Sequence, residues 1–247
     1  MADETCRLDQ ALVERGLAPS RARAQGAVKA GHVTVNGETA LKPAVHVKPA
    51  DDIKLTGLEH PYVSRAALKL VHGLDRFGLS VEGRHALDLG ASTGGFTQVL
   101  LERGAAHVVA LDVGHDQLHE DLRNDPRVSV IEGLNAKDVN AETVSEDFDL
   151  IVCDLSFISL KKALPATLTL APAGTDLIAL IKPQFEVGRG KLGKGGVVRD
   201  EALHEEVCED IAGWLSSLPG WTVTGVTPSP IEGGDGNKEF LMVARKT

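Results

Sequence analysis

From residue 85 onward, short apolar runs recur at residues 85–91, 107–114, 128–133, 148–156, 175–183, 221–228 and 239–246. Most are separated by stretches whose apolar residues fall at helical spacing, such as 94–104 and 199–218. Alternation of this kind predicts an α/β fold with a seven-stranded, mostly parallel, doubly wound sheet. The last run follows the sixth by a short connection, so an antiparallel last strand is expected.

The first sixty residues follow a different rhythm. Leu8, Ala11, Leu12 and Val13 form a helical stripe that stops at Gly16, and a second helix starts after Pro19 with Ser20 as its N-cap. Gly31 ends that helix, and alternating Val33 and Val35 lead into Asn36-Gly37, a hairpin turn signal. Further short strands are predicted within 44–49 and 51–57. The expected organisation is a small α+β domain over 1–58, a linker at 59–63 and a catalytic-sized domain over 64–247. Ser64 is expected to cap the first helix of the larger domain, with Ala67, Leu68, Val71 and Leu74 facing inward.

Composition narrows the class. The chain has 247 residues, 43% hydrophobic and 25% charged, which suits a soluble protein with a real core. Its acidic, polar opening is unlike a secretory signal, and no apolar stretch has the length of a membrane helix, so a cytoplasmic protein is expected. Cys6, Cys153 and Cys208 are too few and too scattered for a disulfide framework or a metal-ligand set. Net charge is −9, yet residues 7–29 carry five basic side chains against two acidic ones. A local surface of that kind, not the chain total, governs attraction to phosphate.

The candidate chemistry begins where the first strand of the larger domain turns into a helix. Asp88, Gly90, Ala91, Ser92, Thr93, Gly94, Gly95, Phe96 and Thr97 form a glycine-rich strand-to-helix turn, where a ligand can approach the backbone. Its G-x-x-x-G-G spacing departs from the dinucleotide fingerprint. Asp112 ends the second strand about twenty residues later, where an acid can accept from both ribose hydroxyls. A plain capping role is the alternative for that residue. Together, turn, spacing and acid resemble class I methyltransferases that bind S-adenosylmethionine. That resemblance also implies Asn135 and Ala136 near the adenine.

The fourth strand ends in Asp154, without the D/N-P-P-Y/F motif of amine methylation. Cys153 as a nucleophile for base C5 methylation is disfavoured, because strand alternation turns it away from Asp154. Transfer to an oxygen is left. A ribose hydroxyl is a weak acid that needs a base or charge stabilisation, and Lys182 at the end of the fifth strand can supply it. Lys69 is the expected neighbouring cation, lowering the Lys182 pKa, and Glu239 is expected to orient both lysines, although Lys238 offers it a surface partner.

Lys69, Asp154, Lys182 and Glu239 resemble, in order and context, the K-D-K-E tetrad of FtsJ-like ribose 2′-O-methyltransferases. Residues 7–55 resemble the S4 RNA-binding module, most clearly over 20–37. Both halves together look like the TlyA, or hemolysin A, family of cytidine 2′-O-ribosomal-RNA methyltransferases. The resemblance implies a class I Rossmann-like fold, S-adenosylmethionine as cofactor with no metal, and ribosomal RNA or subunits as partner. Lys182 is then the base or charge stabiliser, Asp154 holds the reacting groups, and Lys69 and Glu239 position and tune. One departure is that FtsJ has Pro-Gly-Gly-Trp where this chain has Thr93-Gly94-Gly95-Phe96.

Expected RNA contacts are Arg7, Arg15, Arg21, Arg23, Lys29 and Arg65, with Arg189, Lys191 and Lys194 in a basic lid. Residues 188–195 fall one residue short of a Walker A motif, with Gly195 where a hydroxyl would hold Mg²⁺, so nucleotide hydrolysis is disfavoured. A monomer that does not engage membranes is expected. The name hemolysin raises a membrane-active cytolysin as an alternative, but no strongly basic amphipathic helix supports it. A non-catalytic RNA-binding ribosome-assembly factor is the other.

Overall fold

The computed structural model describes residues 5–18, 20–29, 31–55, 60–188, 190, 192–233 and 236–247, without the side chains of Ala22 and Lys194. The chain divides into two compact units, Met1–Pro61 and Tyr62–Thr247.

The first unit runs β1 (Cys6–Arg7), α1 (Leu8–Glu14), α2 (Arg21–Lys29), β2 (Val33–Val35), β3 (Glu38–Thr39), β4 (His46–Val47) and β5 (Ile53–Leu55). The helix stripe and the hairpin appear as expected. Asn36 and Gly37 both have positive φ, 53° and 86°, the backbone that a two-residue turn requires. The turn sets Val35 opposite Glu38. β5 adds to the other edge of β2, whereas β4 pairs with β1 in a separate ribbon. Leu8, Leu12, Val28, Val33 and Val47 close the core. His60, expected in the linker, is buried in this unit, where Arg23 donates to its ring and its carbonyl.

The second unit opens with α3 (Ala67–Phe77), β6 (His85–Leu89), α4 (Gly95–Glu102), β7 (His107–Asp112), α5 (Glu120–Arg123) and β8 (Val128–Glu132). It continues through β9 (Leu150–Cys153), α6 (Leu160–Ala163), α7 (Pro165–Leu170), β10 (Asp176–Ile181) and α8 (Pro183–Glu186). α9 (Glu201–Ser216), β11 (Trp221–Pro228) and β12 (Phe240–Lys246) complete it. The seven strands lie in the order β11-β12-β10-β9-β6-β7-β8. The last strand is antiparallel to both its neighbours, slotted between β10 and β11.

Alternation along the strands feeds two cores. Leu87, Ile151, Leu177 and Met242 pack with Val207 and Ile211 of α9, while Ala86, Val152, Ile178 and Val243 pack with Leu70 and Leu74 of α3 and with Leu100 of α4. Each fully buried leucine contributes about 2 kcal/mol of apolar transfer free energy. The α3 stripe needs correction. Ala67 and Leu74 face inward, but Leu68 and Val71 are half-buried, and Leu70 takes the core position. The helix starts at Ala67, not after a Ser64 cap; the Ser64 hydroxyl accepts from the Ala66 N–H in the turn before it. That phase turns Lys69 inward as well. Among the described residues, no helix is long and apolar enough to cross a membrane.

Candidate active site

Parallel strands present their carboxyl ends along one edge of the sheet, and the turn after β6 opens there. Gly90 has φ +86°, and a Cβ on it would meet the Asp154 carbonyl oxygen at 2.8 Å. Only glycine allows this packing of the turn against the end of β9. The N–H groups of Gly90 and Ala91 both donate to the Leu111 carbonyl, which ties the turn to β7. Gly90, Ala91, Ser92, Thr93, Gly95 and Phe96 line a hollow of about 160 Å³, together with Asp154, Ser156 and Lys182.

Asp88 and Thr97 lie beneath that turn, fully buried. The Thr97 hydroxyl donates to Asp88 Oδ2 at 2.7 Å, while Oδ1 has no partner among the described residues. Burial pushes the Asp88 carboxyl up to about 7, against the pull of the Thr97 bond. Asp112 accepts from Ser92 N at 2.8 Å and Gly114 N at 2.7 Å, one on each carboxylate oxygen. Each oxygen keeps a second lone pair, and the side chain borders a smaller hollow beside Ala91 and Ser92. Gly94 begins α4 with φ +97°. Asn135 caps a single 3-10 turn through the Lys137 N–H, and Ala136 is packed in the core. Neither lines the two hollows just described.

The four tetrad candidates converge from α3, β9, β10 and the residue before β12. Their side chains are only 8% (Lys69), 13% (Asp154), 8% (Lys182) and 3% (Glu239) exposed. Lys69 Nζ donates to Glu239 Oε2 at 2.6 Å and stands 3.6 Å from Asp154 Oδ2. Lys182 Nζ stands 2.5 Å from Asp154 Oδ1, a close ionic contact approached off the hydrogen-bonding directions, since that oxygen has no aligned donor. The aligned bond of Lys182 goes to Ser156 Oγ at 3.0 Å. Asp154 is therefore the bridge between the lysines. Glu239 holds Lys69, whereas its expected direct hold on Lys182 is not among the contacts. Lys238 pairs with Glu201 at 2.8 Å instead of Glu239. A hollow of about 450 Å³ opens beside Glu239, between α9 and residues 228–232.

Cys153 is buried on the opposite side of β9, its thiol pushed up to about 12 by burial. A thiol in that state is no nucleophile.

Three residues at the site were not singled out from sequence. Ser156 anchors Lys182. Phe157 is 91% exposed in the left-handed region, φ +66°, its ring 5.1 Å from that of Phe185. Glu186 accepts from Ser159 Oγ at 2.6 Å and Leu160 N at 2.8 Å, with burial raising its pKa. An exposed phenylalanine after a strand-end acid was the one legible signal.

The expected RNA contacts are busier than a solvated basic face. Arg7 and Arg21 both donate to Asp9, whose carboxylate is fully buried and also accepts from Gln25. The Arg7 bond holds that carboxyl well below its usual range. Arg15 donates to the carbonyls of Lys48, Pro49 and Asp51, and Arg23 holds His60. These arginines tie the small unit together, a role that composition could not separate from phosphate binding. Lys29 and Arg65 are exposed, with Arg65 donating to the Glu232 carbonyl. Arg189, Lys191 and the Lys194 side chain lie outside the described residues.

Comparison with known proteins matches this geometry. Residues 62–246 fit the family model of FtsJ-like methyltransferases, and residues 6–53 fit that of the S4 domain. A relative from Mycobacterium tuberculosis (strain CDC 1551 / Oshkosh), named 16S/23S rRNA (cytidine-2'-O)-methyltransferase TlyA, is 48% identical over 97% of this chain and 89% of its own. Hemolysin A of Brachyspira hyodysenteriae is 43% identical over 95% of this chain and 98% of its own. A solved Streptococcus thermophilus structure, named as a hemolysin, is 40% identical with a TM-score of 0.78, covering all of this chain and 90% of that one. With both halves and the whole length accounted for, this chain belongs to the TlyA family of FtsJ-like methyltransferases.

Proposed function

We propose that this methyltransferase moves a methyl group from S-adenosylmethionine to the 2′-hydroxyl of a cytidine in ribosomal RNA. The observation that carries the reading is the buried quartet of two lysines and two carboxylates beside the turn hollow. Withdrawing four charges from water costs several kcal/mol per ion before pairing, which a merely structural contact does not justify.

The residues present fit the cofactor. The Gly90 cradle, which a Cβ would fill, and the start of α4 suit a polar ligand at the backbone, and Asp112 keeps acceptor capacity for ribose hydroxyls. When bound, S-adenosylmethionine supplies an electrophilic methyl group on a sulfonium. Lys182 then takes the hydroxyl proton or stabilises the negative charge developing on the oxygen, and Asp154 fixes the Lys182 amine beside the hollow. Lys69, clamped by Glu239, holds the far side of Asp154 in place. Phe157 offers an exposed ring on which a displaced base can stack. The S4-like unit, here extended to Pro61, and the domain that follows divide RNA binding from chemistry, with the exposed parts of Arg7, Arg21, Lys29 and Arg65 as contacts.

The test is incubation of ribosomal subunits with labelled cofactor, followed by mapping of 2′-O-methylated positions. Lys182→Ala is expected to lower transfer at least a hundredfold while cofactor binding by calorimetry is kept. Wild-type turnover by Lys182→Ala refutes the mechanism. Subunit binding without cofactor affinity favours the assembly-factor reading instead.

A further inference from the structure

We infer that Ser156 is a positioning residue for Lys182: its hydroxyl fixes the direction in which the amine faces the reacting ribose oxygen. The inference rests on the proposed role of Lys182. Asp154 lies close to Lys182 Nζ but off the hydrogen-bonding directions, so it holds the amine by charge and leaves its rotation free. The aligned bond, to Ser156 Oγ at 3.0 Å, sets that rotation. The form that takes a proton is the amine left after the ammonium of the resting quartet has given one up to solvent, and its nitrogen has four directions: Cε, two N–H bonds and one lone pair. With one N–H on Ser156 and the other turned to the Asp154 carboxylate, the lone pair takes the remaining direction. All three residues line the same hollow, and on this inference that direction points into it. As the oxygen–methyl bond forms, the hydroxyl proton passes to this lone pair, and the electrons of the methyl–sulfur bond stay on sulfur as a neutral thioether.

The loop bearing Ser156 is built to hold it still. It is fastened twice to the segment that follows β10, by Ser156 to Lys182 and by Ser159 to Glu186. Glu186 also accepts from the Leu160 N–H, at the start of α6. Between the two fastenings, Phe157 is held at φ +66°, a left-handed backbone that a non-glycine residue keeps only where its surroundings over-determine it. The groups facing Lys182 from neighbouring elements are Asp154 at the end of β9 and, through it, Lys69 of α3, itself clamped by Glu239. Their charges fix where the amine sits and draw its second N–H toward Asp154, whereas the aligned bond among the described residues is the one to Ser156.

The experiment compares Ser156→Ala, Ser156→Thr, Lys182→Ala and the Ser156→Ala/Lys182→Ala double variant in single- and multiple-turnover transfer to ribosomal subunits. Melting temperature and cofactor affinity are measured alongside. Ser156→Ala is expected to lower kcat about tenfold with KM for RNA and cofactor unchanged, and Ser156→Thr to recover most of the rate. In the Lys182→Ala background, Ser156→Ala is expected to cost nothing further, because it acts only through the amine. An unchanged kcat in Ser156→Ala, a loss carried by KM, or an additive loss in the double variant overturns the inference. A fully active Lys182→Ala overturns the underlying mechanism instead, so the two failures are told apart.

Discussion

Two ionic centres in this molecule pair cations with buried carboxylates to opposite ends. In the small unit, one fully buried carboxylate, Asp9, draws in Arg7 and Arg21, whose side chains stay 36% and 51% exposed. Only the acid leaves water entirely, and its cations stay in part exposed to it. In the large unit, Lys69, Lys182, Asp154 and Glu239 are all nearly buried, so both signs are desolvated. The first arrangement is a clip between α1 and α2. The second is the group to which we assign the methyl transfer, and there both signs give up water together. Which partner is buried distinguishes a structural salt bridge from a reactive one more sharply than the residues themselves do.

The largest expected effect separates stability from chemistry in the large unit. Glu239→Leu leaves the Lys69 ammonium buried with its 2.6 Å partner gone, and is expected to cost about 3–5 kcal/mol in denaturant unfolding and at least a hundredfold in transfer. Adding Lys69→Met is expected to restore most of the stability and none of the activity. A double variant that regains turnover contradicts the functional reading of the quartet.

In the small unit, Asp9→Ala removes a hydrogen-bonded charge, and an unfolding cost of about 2–3 kcal/mol is expected. Because Arg7 and Arg21 can rehydrate, no second substitution is needed to relieve them. RNA affinity by filter binding should fall, with the transfer rate at saturating RNA kept.

Titration carries the contrast further. The Asp9 carboxyl is depressed, so its stabilisation is present above the ordinary carboxylate range near pH 4 and is lost as pH falls. The Asp88 carboxyl is raised to about 7, so the folded state binds more protons than the unfolded one between about pH 4 and 7. Stability from that group is full below pH 4 and declines as pH rises to about 7. Melting curves across this range should flatten in Asp88→Asn, while Asp9→Asn should flatten only the acid side. The smallest effect is expected at Cys153. Cys153→Ala should cost about 1 kcal/mol in thermal unfolding and leave the transfer rate within twofold.

Much of the large unit is legible in the sequence because alternating apolar strands and a glycine-rich turn are local patterns. Its seven strands follow from such signals, as does the hairpin at Asn36-Gly37 in the small unit. What escapes is what depends on phase and on distant partners. Leu68 and Val71 looked inward because a hydrophobic stripe has no place for Lys69, the residue the α3 phase buries. The arginines of α2 looked like a free basic face because nothing local shows that Asp9 is buried beside them. Ser156 carried no pattern at all, since its partner lies 26 residues on, at the end of another strand.

The bond between Lys69 and Glu239 joins residues 170 apart, whereas the Asp9 bonds span at most 16. Closing the longer loop costs roughly 2 kcal/mol more chain entropy than the shorter one. A chain made from its N-terminus can therefore assemble the clip around Asp9 while most of the protein is still unsynthesised. The quartet of the large unit waits for a residue that arrives only after eleven of the described strands have been made. The order of synthesis lets the S4-like unit take shape first, before the four residues proposed for methyl transfer can meet.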